Sequence, residues 1–139
     1  HLFTKSTFTN FELRSLVRVN TKGNSGMYFR VTPNPAPNNP WPNGYEAQVD
    51  QHDPKNYTGC IYNAAWPESG PGQSGPITED NAWFDYRIRA EGDRIRTWIN
   101  GVPFVDAQLD QFNDGHLAVQ GHHQGNVIEF RDYRVLPLD

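Results

Sequence analysis

Strict alternation of apolar and polar residues, broken by glycine and proline, constrains this chain more than any other feature. It is clearest at Gly44-Tyr45-Glu46-Ala47-Gln48-Val49-Asp50. Side chains on a strand point to opposite faces in turn, so Tyr45, Ala47 and Val49 share one face and Glu46, Gln48 and Asp50 the other. The first face can pack into a core. The second presents a carboxylate, an amide and another carboxylate in a row. That row suits a polyhydroxylated ligand, and it equally suits the solvated outside of a sheet.

The same alternation recurs in Phe11–Val19, where Phe11, Leu13, Val17 and Val19 share a face and Arg14 and Arg18 take the other. Strands are expected at Met27–Val31, Tyr45–Asp50, Thr58–Tyr62, Trp83–Ala90, Arg94–Ile99, Val102–Val105, Leu117–His122 and Val127–Val135. Asn100-Gly101 is a two-residue hairpin signal. In the last strand Ile128 and Phe130 are out of step with Tyr133 and Val135, and a bulge near Arg131-Asp132 would restore the register. Pro33 to Asn43 carries five prolines and is expected as a loop. Gln51 to Ala82 reads as largely irregular, with Pro67 to Pro76 rich in Gly, Pro and Ser. No helix or internal repeat stands out. About eight or more antiparallel strands predict an all-β sandwich or jelly roll in one domain spanning residues 1–139.

Composition agrees. Aromatic residues make up 13% of the chain, and 12 glycines with 11 prolines supply its turns. The net charge is −4 and the 12 basic residues form no run, which argues against nucleic acid as a partner. No apolar stretch approaches the ~20 residues of a membrane span. The single cysteine, Cys60, cannot close an internal disulfide and is expected as a small core residue. The chain starts at His1 rather than Met, as a processed or trimmed product would. Oligomeric state is not legible.

Spacing limits the chemistry. Residues four apart on a strand stand roughly 13 Å apart. Glu46 and Asp50 therefore cannot form the ~5–5.5 Å carboxylate pair of a retaining glycosidase, and Gln48 between them can neither attack nor transfer a proton. Gln120 and His122 should face together, away from a core formed by Leu117 and Val119. Histidine is suited to proton transfer near neutral pH, although an exposed or structurally bonded His is the plainer reading. Asp50, His52 and Asp53 are weak candidates for a cation site and match no dedicated metal loop. No cofactor is expected, with room left for a divalent cation. Trp41 and Trp66, in loops, are candidate platforms for sugar rings.

An ordered series of short motifs resembles the 3-keto-disaccharide hydrolase domain family. It runs through Asn10-Phe11-Glu12-Leu13, Asn24-Ser25-Gly26 with Phe29-Arg30, and Gly44-Tyr45-Glu46-Ala47-Gln48. It continues with Thr58-Gly59 and Tyr62, Trp83, Asn100-Gly101 and Gly115, and ends with Gln120-Gly121-His122 and Phe130-Arg131-Asp132. The resemblance implies a concanavalin-like jelly roll of two antiparallel sheets with a carbohydrate ligand in a concave face. It also implies a periplasmic or secreted location. Family members normally begin with extra strands bearing a Gly…Trp…Asp-Gly pattern. Their absence here implies either a fragment or a shortened variant whose sheet edge is covered otherwise. Phe84 stands where Asn is common, and Asp132 where Asn is usual.

The implied chemistry is cleavage of 3-keto-glycosides. A C3 ketone acidifies the C2 proton, so a base can remove it and expel the C1 group, after which water adds back. By resemblance and position Glu46 and His122 are the acid/base candidates. Arg30, Gln48, Gln120 and Asp50 are candidates for binding the carbonyl or hydroxyls, with a structural Arg30–Glu46 ion pair as the alternative for Arg30. A noncatalytic carbohydrate-binding module, or an accessory domain of a larger protein, is the competing expectation.

Overall fold

The computed structural model describes residues 1–33, 36 and 38–139. Nine strands form two antiparallel sheets: β1 (Leu2–Phe8), β2 (Asn10–Val19), β3 (Ser25–Thr32), β4 (Asn43–Val49), β5 (Phe84–Glu91), β6 (Arg94–Ile99), β7 (Val102–Gln108), β8 (Gly115–Val119) and β9 (Ile128–Leu138). One sheet has the order β1-β8-β3-β4 and the other β7-β6-β5-β2-β9. A single 3-10 turn, Pro71–Ser74, is the one helical element among the described residues. The expected jelly-roll sandwich is therefore observed.

Alternation explains how the two layers meet. Phe11, Leu13, Val17 and Val19 of β2, with Phe84, Tyr86, Ile88 and Ala90 of β5, turn inward and are buried. Met27 and Phe29 of β3, Tyr45, Ala47 and Val49 of β4, and Leu117 of β8 oppose them in the same cluster. Cys60 sits in that core, fully buried, and burial pushes its thiol up to about 11, so it acts as a small apolar residue. On the outside of the five-stranded sheet, charges pair with one another. Arg14 meets Asp85, Arg87 and Arg89 converge on Glu12, and Arg94 meets Asp106. Pairs this exposed contribute little each and form an ordinary solvated face.

Two local predictions are met in detail. Asn100 and Gly101 both have positive φ, 51° and 77°, as a type I′ hairpin turn requires. Between β2 and β9 the register slips: Arg14 faces Arg134 but Leu16 faces Arg131. Asp132 takes the bulge conformation at φ 54°. Phe130, Tyr133 and Val135 all consequently pack on the core.

Two strand readings need correction. Leu2–Phe8 is a strand, pairing with β8, although its mixed pattern gave no clean alternation. Thr58–Tyr62 is not. It runs irregularly along the outer edge of β4, with an isolated bridge from Ala47 to Ile61, before Ile61 turns back to bridge Ala65. Its bonds from Tyr62 N to Glu46 O and from Gln48 N to Cys60 O cover that edge. Within the proline-rich segment, Asn34, Pro35 and Pro37 lie outside the described residues.

Candidate functional site

The site grows from register on the four-stranded sheet. Across β4, β3 and β8, Glu46 pairs with Tyr28 and Tyr28 with Ala118. In the adjacent row Gln48 pairs with Gly26, whose carbonyl accepts the backbone N–H of Gln120. Because Met27, Ala47 and Val49 face the core, these neighbours face outward. Two small residues, Gly26 and Ala118, thus lie among Tyr28, Glu46, Gln48 and Gln120, and a recess results. It opens into a cavity of about 420 Å³ lined by those polar residues together with Asn24, Trp41, Asp53, Tyr62 and His122.

Gly26 sets the position of the carboxylate. A Cβ built there would lie 2.2 Å from Glu46 Oε1 and 2.6 Å from its Cγ, so the glutamate side chain occupies the space that any other residue would fill. We expect Gly26→Ala to leave the sandwich folded, since only side-chain atoms obstruct it, and to expel the carboxylate from the recess. Carbon-13 NMR titration should then show the Glu46 midpoint falling back toward 4.5. An unchanged midpoint would show that the glycine is not what places Glu46.

The electrostatics of the recess are unusual for a surface. Burial pushes the Glu46 carboxyl up to about 7, and a hydrogen bond from Tyr28 opposes that rise. Gln48 and Gln120 are 1% and 3% exposed, yet the carbonyl oxygen of each has no partner. Buried acceptors left bare cost roughly 1–3 kcal/mol each, and such a pair in one recess suits a ligand bearing hydroxyl donors. Among the described residues the lining holds no lysine or arginine.

The sequence-predicted residues separate cleanly. Glu46, Gln48, Gln120, Trp41 and His122 come together around one cavity. The His122 ring lies 5.7 Å from that of Trp41 at 31°, and its Nδ1 is 2.9 Å from His123 Nδ1. Trp41 is 45% exposed at the rim of that cavity.

Arg30, Asp50 and Trp66 do not join them. Arg30 is buried at the end of the sandwich, where it donates to the carbonyls of Thr9 and Phe112, so neither the ligand-binding role nor the ion pair with Glu46 fits its place. Asp50 caps the turn that follows β4: Oδ1 accepts the N–H groups of His52 and Asp53, and Oδ2 accepts Asn24 Nδ2. Trp66 lines a separate groove beside Arg94 and Asp106, with the Lys55 ammonium 5.1 Å from its ring.

The weak cation candidates also diverge. His52 pairs with Asp80, while Asp53 Oδ1 accepts the N–H groups of Lys55 and Asn56. Among the described residues no group of three or more His, Cys, Asp or Glu side chains could hold an ion. Sequence reasoning missed Tyr28, and Asn24 and Tyr62 entered it only as motif residues with no site role. Tyr28 shares a strand face with Gly26, but its meeting with Glu46 depends on a cross-strand register that no single strand reveals.

This is a two-sheet β-sandwich whose outer face carries a polar, acceptor-rich recess rimmed by aromatic rings. The chain belongs to the 3-keto-alpha-glucoside-1,2-lyase-like domain family, whose model matches residues 1–136. No curated protein matches it. Among solved structures it is similar to a provisionally named glycosyl hydrolase from Parabacteroides distasonis. That match has a TM-score of 0.83 and 19% identity, and covers 99% of this chain and 74% of the other. A second such protein from the same organism matches at TM-score 0.71 and 18% identity, over 98% and 82% of the two chains. A carbohydrate-binding module, CBM66 from Bacillus subtilis, matches at 0.66 and 16% identity, over 96% and 78%. Family membership makes this a carbohydrate-related domain, and the solved neighbours share its fold. No helix of the described residues is long and apolar enough to cross a membrane.

Proposed function

We propose that the recess binds a 3-keto-glycoside and cleaves it by elimination and hydration. One observation supports this above the others: a carboxyl held near neutral pKa beside two buried carbonyl oxygens that await donors. The glutamine oxygens accept sugar hydroxyl hydrogens, and Trp41 and Tyr62 at the rim supply faces for sugar rings.

Glu46 takes the C2 proton as a carboxylate. The electron pair of that C–H bond becomes the C2–C3 double bond of an enol or enolate, and on its collapse the C1–O bond breaks. His122, across the same cavity, gives a proton to the departing oxygen. Water then adds at C1 and C2 recovers its proton, so the net change is hydrolysis with no covalent enzyme intermediate. A base near pKa 7 is well matched to this work, because it is substantially ionised yet still basic at neutral pH.

A second reading, a module that binds sugar without cleaving it, is favoured by the likeness to the carbohydrate-binding module. Proton NMR of a 3-keto-glucoside incubated with the protein separates them. We expect free 3-keto-glucose and aglycone, with product formation reduced at least tenfold in His122→Ala. Saturable binding of the same compound with no product would establish the module instead.

A further inference from the structure

We infer that Tyr28 is a positioning residue that aims the Glu46 carboxylate into the recess, as the middle member of a relay from Gln120 through Tyr28 to Glu46. The inference deepens the reading of Glu46 as the reacting base, and rests on it. It begins with the register, which sets Tyr28 directly opposite Glu46 on the neighbouring strand. The phenol ring cannot swing freely. It is 4% exposed, packs with Val31 and Ala118, and meets the His1 ring edge-on at 5.0 Å.

The direction of the relay follows from donor chemistry. The amide Nε2 of Gln120 can only donate, and it lies 3.0 Å from the Tyr28 hydroxyl oxygen. With that oxygen accepting, the phenol hydrogen is free to go to the Glu46 carboxylate, which stands opposite it across the strand pair. The same bond orients Gln120, so its carbonyl oxygen stays bare for a ligand. One phenol therefore fixes two features of the site.

The consequence is electrostatic. Burial raises the carboxyl of Glu46, and the Tyr28 bond is the influence that holds the rise in check. The other titratable groups lining the cavity are His122 beyond β8, and Asp53 and Tyr62 in the loops after β4. Asp53 is engaged by backbone N–H groups, and the His122 Nδ1 faces His123. Tyr28 is the group bonded to the carboxylate.

The test needs no turnover. Carbon-13 NMR of protein labelled at the glutamate carboxyl carbon follows Glu46 directly, its signal assigned by its loss in Glu46→Gln. In Tyr28→Phe the midpoint should move up by about one pH unit, since burial then acts unopposed. A midpoint that stays in place, or moves down, overturns the proposal. Should that variant fail to fold, 3-fluorotyrosine at position 28 preserves the ring and strengthens the donor, so the midpoint must move down; no movement overturns it. Failure of the wild-type protein to cleave a 3-keto-glucoside would remove the reaction and leave these shifts as they are.

Discussion

Glu46→Gln is expected to abolish cleavage and, above pH 7, to make the protein more stable than the wild type. Both effects come from the same burial. Loss of the base should lower kcat/KM by about 10²- to 10⁴-fold, the usual contribution of a positioned proton-transfer group. Stability should move the other way. The folded protein holds the Glu46 proton up to about pH 7, whereas the ordinary value is 4.5. Between those values the native state binds more protons than the unfolded chain, so stability falls as pH rises through the window. At pH 8 the ionised carboxylate sits in the recess at its full cost, about 3 kcal/mol for a shift of this size. A neutral amide of the same shape avoids it. Thermal melts at pH 8 should place the variant roughly 5–10 °C above the wild type, with the two curves converging below pH 4.5. Wild-type activity should itself rise with pH through about 7, as the base ionises. A variant that retains a tenth of the activity, or that melts below the wild type at pH 8, would refute this account of Glu46.

That opposition between stability and chemistry is the physical mark of the site. The sandwich as a whole obeys simple rules: apolar residues of β2, β3, β4 and β5 turn inward and are buried. The recess departs from them on the outer face of the four-stranded sheet, where a carboxylate on β4, an amide beside it and another just past β8 are sheltered without full pairing. Local departures of this kind are expected where a ligand, rather than the fold, completes the interactions.

Much of this was legible before any coordinates. Period-two alternation located eight of the nine strands, and the mismatch between Phe130 and Tyr133 located the bulge. Both are local signals, fixed by which face a side chain takes. The residue pair that matters most, Glu46 with Tyr28, is not local: it depends on the offset between β3 and β4, which neither strand encodes alone. Glu46, Gln48, Gln120 and His122 could be suspected because each falls on the outward side of an alternating pattern and carries a group able to bind a hydroxyl or move a proton. Trp66 misled because an aromatic in a loop says nothing about which loop meets which sheet. Asp50 misled for a different reason. A carboxylate just after a strand is equally suited to capping a turn, and it does so here.

Arg30 misled most, and its true place yields the second large prediction. Basic residues on a strand beside Glu46 invite a ligand-binding role, but a bulge between Phe29 and Thr32 carries Arg30, at φ 51°, into the end of the sandwich. There its Nε and Nη2 donate to Thr9 O at 3.0 and 2.7 Å, and Nη1 donates to Phe112 O at 3.1 Å. Thr9 is the single residue between β1 and β2, where the chain leaves one sheet for the other. Phe112 lies between β7 and β8, where it crosses back. One guanidinium therefore clasps two of the chain's crossings between the sheets, helped by the Tyr45 hydroxyl, which accepts the N–H groups of Gln111 and Phe112. Arg30→Ala would leave two carbonyls without their donor and open a void in a site that is 1% exposed. At about 1–3 kcal/mol for each stranded group, together with the lost packing, the cost is about 4–6 kcal/mol, enough to unfold a domain of ordinary stability at 37 °C. Arg30→Lys keeps one charge but cannot span both carbonyls, and should lose about half as much. Urea denaturation of the two variants supplies the ranking. Were Arg30→Ala to fold with wild-type stability and lose only sugar binding, the clasp would be wrong and the guanidinium would belong to the ligand after all.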